Sequence, residues 1–295
     1  MAFYNLMVIA IRNQKQPMKI EKVRKRVVYD WEEELDARFF TRADALALAI
    51  EHNHIEYVDY LLKYHLDEAL DTSKRCCTHL ILAVTMDRQE IVEKILFYTS
   101  KQLRLLKSID GKAWKKIESR SLARGQEITN ESVLLCDEDY EFYINRKSCN
   151  PMGSSKTALH VACELALVEC LRTLLSYGAN PATPDLTGQT PLEYCLSGAQ
   201  VKPESEGRRL AQCMELLVRT LRYIGVPIRE QLKDLKIIRP NDDFIQNIDF
   251  PECPMFLAHL TRCTIRNCVD LGRLPHGINR LPLPLYLKKY LTLEM

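Results

Sequence analysis

Several short clusters hold residue types that perform chemistry elsewhere. Gly153-Ser154-Ser155-Lys156-Thr157 echoes the end of a phosphate-cradling loop, in which backbone amides and a lysine hold a polyphosphate. The upstream glycine of such a loop is missing, and no strand pattern precedes it. His52 and His54 bring two imidazoles together, as a metal site requires, but no cysteine pair stands nearby at zinc spacing. His160 offers a general base, yet no nucleophile and orienting partner can be assembled around it. Cys163 and Cys170 lie seven apart on packing faces, and nothing specific explains the vicinal pair Cys76-Cys77. Lys19 to Arg26 (KIEKVRKR) fits a nuclear address or a patch for an acidic partner, and a solvated helix face better. No catalytic residue, metal ligand or cofactor is expected, and the chain reads as a non-enzyme.

Bulk composition narrows the partners. A chain of 295 residues, 46% of them hydrophobic, is long and apolar enough to bury a sizeable core. Lys plus Arg (41) nearly balances Asp plus Glu (39), so the global positive field of non-specific nucleic-acid binding is absent. The first apolar run, Leu6 to Ile11, is shorter than a signal-peptide core, and no run reaches the roughly 20 residues that span a bilayer. A protein partner chosen by shape is expected, with no nucleic acid and no membrane, in the cytoplasm, with the nucleus as a second compartment. Eleven cysteines, scattered and odd in number, read as reduced and partly buried thiols.

The elements that position these residues show as repeats. Leu46-Ala47-Leu48-Ala49-Ile50 leads through His54 to Val58, Leu61 and Leu62; Leu80-Ile81-Leu82-Ala83-Val84 leads to Val92, Ile95 and Leu96. Leu159-His160-Val161-Ala162-Cys163 leads to Leu171, Leu174, Leu175 and Gly178. In each, the paired aliphatics fall 15 and 16 positions after the opening Leu. A fourth opening, Thr190-Pro191-Leu192-Glu193, follows Thr157-Ala158-Leu159-His160 by 33 residues. Each unit reads as two short helices. Ala49, Ala83 and Ala162 let the first pack closely, and the aliphatic pair gives the second a buried stripe. Neither helix can bury its apolar face alone, so the units must stack. Gly178 supplies a helix stop at positive φ, and Asp185 to Thr190 reads as the hairpin into the next unit.

This pattern resembles the ankyrin repeat, whose period is about 33 residues, most closely in Thr157 to Pro181. The first two units lack the Thr-Pro-Leu-His opening and the terminal Gly, as end units of a stack often do. The reading divides the chain into an N-terminal helical cap (1–40), about four repeats (41–228), a linker (229–250) and a C-terminal module (251–295). Two insertions interrupt the repeats. Ser100 to Ser155 holds a degenerate repeat or a projecting element, and Ser197 to Arg209 is a loop splitting the fourth unit. Both are expected to contact a client.

After Pro251-Glu252-Cys253-Pro254 the pattern changes. Leu257, Leu260, Ile265 and Cys268 fall near one helical stripe, with Arg262 and Arg266 away from it. A turn from Gly272 to Gly277 leads to Leu281-Pro282-Leu283-Pro284 and a final helix, Leu285 to Leu291. This tail resembles a SOCS box. The resemblance implies an elongin B/C contact through Leu257, Leu260, Thr261, Arg262 and Ile265, and a cullin-5 contact through Leu281, Pro282, Leu283, Pro284 and Leu287. Thr261 stands where that family carries Cys, with Cys263 two residues later.

The expected fold is therefore all-α, an ankyrin-repeat solenoid with a helical SOCS-box-like module. The expected function is a substrate-recognition adaptor of a cullin-RING ubiquitin ligase; the alternative is an ankyrin scaffold without ligase association, its tail serving as a cap.

Overall fold

The computed structural model describes residues 2–25, 28–29, 38–70, 78–107, 143–148, 155–203, 206–248, 256–269 and 274–294. Helices pair in chain order. Helix α1 (Ala2–Arg12) pairs with α2 (Pro17–Arg24), and a two-residue antiparallel ladder follows, β1 (Val28–Tyr29) on β2 (Arg38–Phe39), with Val28 opposite Phe39. Next come α3 (Arg42–Glu51) with α4 (Ile55–Tyr64), then the single turn α5 (Leu66–Ala69), then α6 (His79–Thr85) with α7 (Gln89–Lys107). Helices α8 (Ala158–Glu164) and α9 (Val168–Ser176), α10 (Pro191–Val201) and α11 (Gly207–Val218), and α12 (Val226–Ile238) and α13 (Asp243–Gln246) complete the pairs. The first helices pack in one layer, in the order α1, α3, α6, α8, α10, α12. The second helices form the other layer, in the order α2, α4, α7, α9, α11, α13.

The local sequence explains the repeated shape. Thr41, Thr78, Thr157 and Thr190 each stand at the N-cap of a first helix, where a side-chain oxygen takes up otherwise unpaired amides of the opening turn. Each of the first four pairs then turns through one residue in the left-handed region: Gln14, Asn53, Asp87 and Ala166. The amide after that residue reaches back to the carbonyl of an alanine, Lys15 to Ala10, His54 to Ala49, Arg88 to Ala83 and Leu167 to Ala162, at 2.8–3.1 Å. This is the six-to-one bond of a Schellman turn, and the small side chain lets the second helix fold back closely.

One contiguous core runs through all six pairs, from Met7, Ile11 and Ile20 at one end to Leu232, Leu235 and Ile245 at the other. Each such side chain, fully buried, contributes about 1.5–3 kcal/mol against the entropy of ordering it. Buried histidines tie neighbouring units together through Nε2: His54 to Lys15 O (2.9 Å), His79 to Ala43 O (2.8 Å) and His160 to Gln189 O (3.1 Å). At the first seam Tyr57 Oη donates to Glu21 (2.7 Å), which also pairs with Arg24 (2.9 Å) and Arg42 (3.5 Å). Burial alone raises the Glu21 carboxyl, but these donors outweigh it and hold the pKa below the usual value.

Four expectations are revised. The N-terminal cap is a repeat-like pair, since Met7-Val8-Ile9-Ala10-Ile11 keeps the Leu46 frame and makes the same turn. Residues 229–250, read as a linker, belong to a terminal pair instead, because Leu232, Leu235, Ile245 and Ile248 face the core. The loop expected at Ser197 to Arg209 shrinks, as α10 runs on to Val201 and α11 starts at Gly207. Helix α6 packs directly on α8, and α7 on α9, so no further repeat is wedged between those units. Of the first insertion, α7 extends to Lys107, and Tyr143 and Ile144 enter the core. Residues 108–142 and 149–154, with Trp114-Lys115-Lys116-Ile117, Gly153 and Ser154, lie outside the described residues, as do Cys76 and Cys77.

Candidate docking module

Three helices follow the stack: α14 (Leu257–Cys268), α15 (His276–Arg280) and α16 (Leu285–Thr292). An amphipathic helix normally lays its apolar stripe on the body it packs against. Helix α14 does the reverse. Its buried positions are His259, Arg262, Cys263 and Arg266, spaced three and four apart on one face. Phe256 and Leu257 are 80% exposed and Leu260 37%. Phe256 also rims a cavity of ≈ 540 Å³ at the seam with the stack, shared with Arg208, Phe244, Ile248 and His259.

The inward face is held by backbone carbonyls. His259 Nε2 bonds Leu221 O (2.7 Å), and Cys263 Sγ donates to Thr220 O (3.6 Å), both just past the end of α11. Arg266 donates Nη1 to Leu291 O (2.7 Å) in the last turn of α16 and Nη2 to Leu175 O in the last turn of α9. Arg172 reaches from α9 to Leu293 O (2.7 Å), where the chain leaves α16 at positive φ and Leu293 enters the main core. Arg262 lies 4.3 Å from the Tyr290 ring centroid and meets His259 Nδ1 at 3.1 Å. Among the described residues no carboxylate pairs with Arg262 or Arg266. Burial and the neighbouring Arg262 pull Arg266 down to about 10, which leaves it charged at neutral pH. The negative ends of α9 and α16 stand in for a counter-ion.

The module has a small core of its own, Leu274, Ile278 and Leu291, with Ile265, Val269, Leu281 and Leu283 packed against it. Leu281 and Leu283 thus point partly inward, which leaves Pro282, Pro284, Leu285 and Tyr286 exposed and Leu287 half-buried. Of the expected elongin residues, Leu257, Leu260 and Thr261 share the outer face and Ile265 lies at its edge. Arg262 does not join them; at 5% exposure it faces inward and supports the helix. Thr261 Oγ1 donates to Leu257 O (2.7 Å), so no unpaired donor is presented outward. Cys263, on the inner face, cannot replace the cysteine that Thr261 displaces. The sequence reading missed Phe256 and His259, although His259, Arg262 and Arg266 stand at helical spacing.

The clusters that suggested chemistry are used in packing. Both His54 nitrogens are engaged, Nε2 with Lys15 O and Nδ1 with Tyr57 N. His160 Nδ1 accepts from Thr157 N (3.2 Å), and Lys156 lies over the Tyr194 ring while pairing with Glu164 (2.7 Å). Burial pushes the Cys163 thiol up, and burial with Asp87 nearby takes Cys170 to about 12, which disfavours the nucleophilic thiolate. In the basic run, Lys19, Lys22 and Lys25 are exposed while Glu21 turns inward; Arg26 lies outside the described residues. Among the described residues no group of three or more His, Cys, Asp or Glu is placed to hold a metal, and no helix is long and apolar enough to cross a membrane.

Comparison with known proteins agrees with this anatomy. Residues 253–292 match the SOCS box, and residues 155–186 match the ankyrin repeat. The chain is similar to mouse (Mus musculus) ankyrin repeat domain-containing protein 9, 27% identical over 97% of this chain and 87% of that protein. Stacked helix pairs, turn chemistry and tail together make this chain an ankyrin-repeat solenoid with a C-terminal SOCS box.

Proposed function

We propose that this chain is a substrate-recognition adaptor of a cullin-RING ubiquitin ligase. The outer stripe of α14 (Leu257, Leu260, Thr261, with Ile265 at its edge) docks elongin B/C. Pro282 and Pro284, together with Leu281, Leu283 and Leu287, form the part that engages cullin-5. The ankyrin stack holds a client protein for ubiquitination and degradation. The chain acts by proximity, and the associated ligase performs the transfer. The observation that carries this reading is the reversed α14, which keeps Phe256, Leu257 and Leu260 in water; an exposed apolar patch of this kind favours a partner that covers it. Pro282 and Pro284 fix φ in the exposed segment, so it loses less entropy on docking.

The scaffold alternative has one observation in its favour. Leu293 joins the main core and Arg172 holds its carbonyl, as a structural cap would require. Point changes on the exposed stripe separate the two readings. Leu257→Ala in the full chain is expected to weaken capture of purified elongin B/C by about 30-fold, or about 2 kcal/mol, with the melting temperature unchanged. Failure of the unaltered chain to capture elongin B/C at micromolar concentration rules out the adaptor reading and leaves the scaffold.

A further inference from the structure

We infer that Arg266 is a positioning residue: its guanidinium, bridging the C-terminal ends of α9 and α16, sets the roll of α14 on the stack, so that repeats and docking module move as one body. The role follows from a competition between two faces. Rolled half a turn, α14 would bury Phe256, Leu257 and Leu260 against the stack and release its basic residues to water. Hydrophobic burial alone favours that roll. The observed roll is held by groups that only the basic face can satisfy, namely the Leu175 and Leu291 carbonyls at two negative helix ends, with Leu221 O held by His259.

Two features single out Arg266 within that face. Its planar fork bonds two helices at once, which a lysine ammonium on a flexible stem reproduces poorly. At 8% exposure, on the side of α14 opposite Leu257, it is out of reach of a partner seated on the stripe. Arg172, by holding Leu293 O, ties α16 to the same helix α9. A partner docked on α14 therefore stands at a set angle to the repeat layers. That consequence for docking rests on the adaptor reading; the positioning role itself does not.

The test uses full-length chain with residue-resolved hydrogen exchange and, separately, titration with purified elongin B/C. Arg266→Gln is expected to speed exchange across Leu257–Cys268 by ~10-fold or more while Ala158–Glu164 keeps its protection. It is expected to weaken elongin B/C binding by ~5-fold or more although no stripe residue has changed, with Arg266→Lys falling between. Unchanged exchange in Leu257–Cys268 overturns the positioning role whatever the titration shows. If exchange responds as expected but the unaltered chain does not bind elongin B/C, the adaptor reading fails and the positioning role stands. Should Arg266→Gln unfold the repeats as well, Arg172→Gln, which removes the Leu293 tie and a half-exposed pairing with Glu169 within α9, decides. Faster exchange confined to the module supports the inference, and unaltered or global exchange removes it.

Discussion

At the scale of single residues, the least replaceable positions are those where two units share one atom's worth of space. Gly207 opens α11 against Asp242, and a Cβ there would lie 2.1 Å from Oδ2 and 2.8 Å from Oδ1. Asp242 cannot swing aside cheaply. Its Oδ1 accepts from Phe244 N (3.1 Å) and Ile245 N (3.2 Å) at the start of α13, and its Oδ2 faces Arg239 Nη1 (3.4 Å). Gly207→Ala is therefore expected to cost about 2–3 kcal/mol in urea unfolding, despite the better helix propensity of alanine. Gly198, one helix earlier, has room for a Cβ, its nearest neighbour standing at 3.8 Å, and serves as the control.

Among the elements, α1 and α2 carry more of the fold than their place before the recognised repeats implies. Met7, Ile11 and Ile20 are fully buried and continuous with the core of α3 and α4, and the Glu21 carboxylate bridges the seam. Met7→Ala is expected to lower stability by about 3 kcal/mol, the cost of an unfilled core site, with a single cooperative transition retained. A detachable cap would give a separate early transition, or none, and denaturation followed by circular dichroism tells the two apart. At the other end, α12 and α13 close the stack where a linker was expected. Their sequence signal is weak because α13 is a single turn, Asp243–Gln246, too short for helical periodicity to appear.

For the whole molecule, the seams decide the response to conditions, and two of them rest on neutral histidines. Burial lowers the pKa of His160, with Lys147 and Lys156 adding to it against Asp185 and the Gln189 carbonyl. Burial also lowers His259, with Arg262 adding to it against the bond to Leu221 O. Both values lie below the usual 6.5, so in mild acid the unfolded chain takes up protons before the folded chain does. Stability is fully present above pH 6.5 and falls as pH drops through and below that value. Thermal melts from pH 7.5 to 5.5 should show the loss, and His259→Gln should flatten part of it; a level profile for the unaltered chain would refute this account. The Asp185 finger should not contribute in that range. Although burial opposes it, bonds from Thr187, Tyr194 and Gln189 hold its carboxyl down to about 2.

What the sequence determined by itself was whatever depends on local spacing. The Leu-Ala frames, the aliphatic pairs 15 and 16 positions on and the turn at Gly178 encode helix pairs that cannot bury their faces alone, so a stack follows. The shared face of Leu257 and Leu260 was legible for the same reason, as helical spacing fixes which residues share a face. Spacing does not say which face turns inward. A helix with apolar and basic sides reads as apolar-in, and only the tertiary structure brought the C-terminal ends of α9 and α16 to Arg266, where their carbonyls make the basic side the buried one. Arg262, a contact residue only by the resemblance, lies on the buried side, and the first pair escaped notice because its Met7 to Ile11 frame lacks the Leu opening yet folds to the same Schellman turn. Carbonyls carry no sequence signature, so a contact made to them is decided by where the chain brings them.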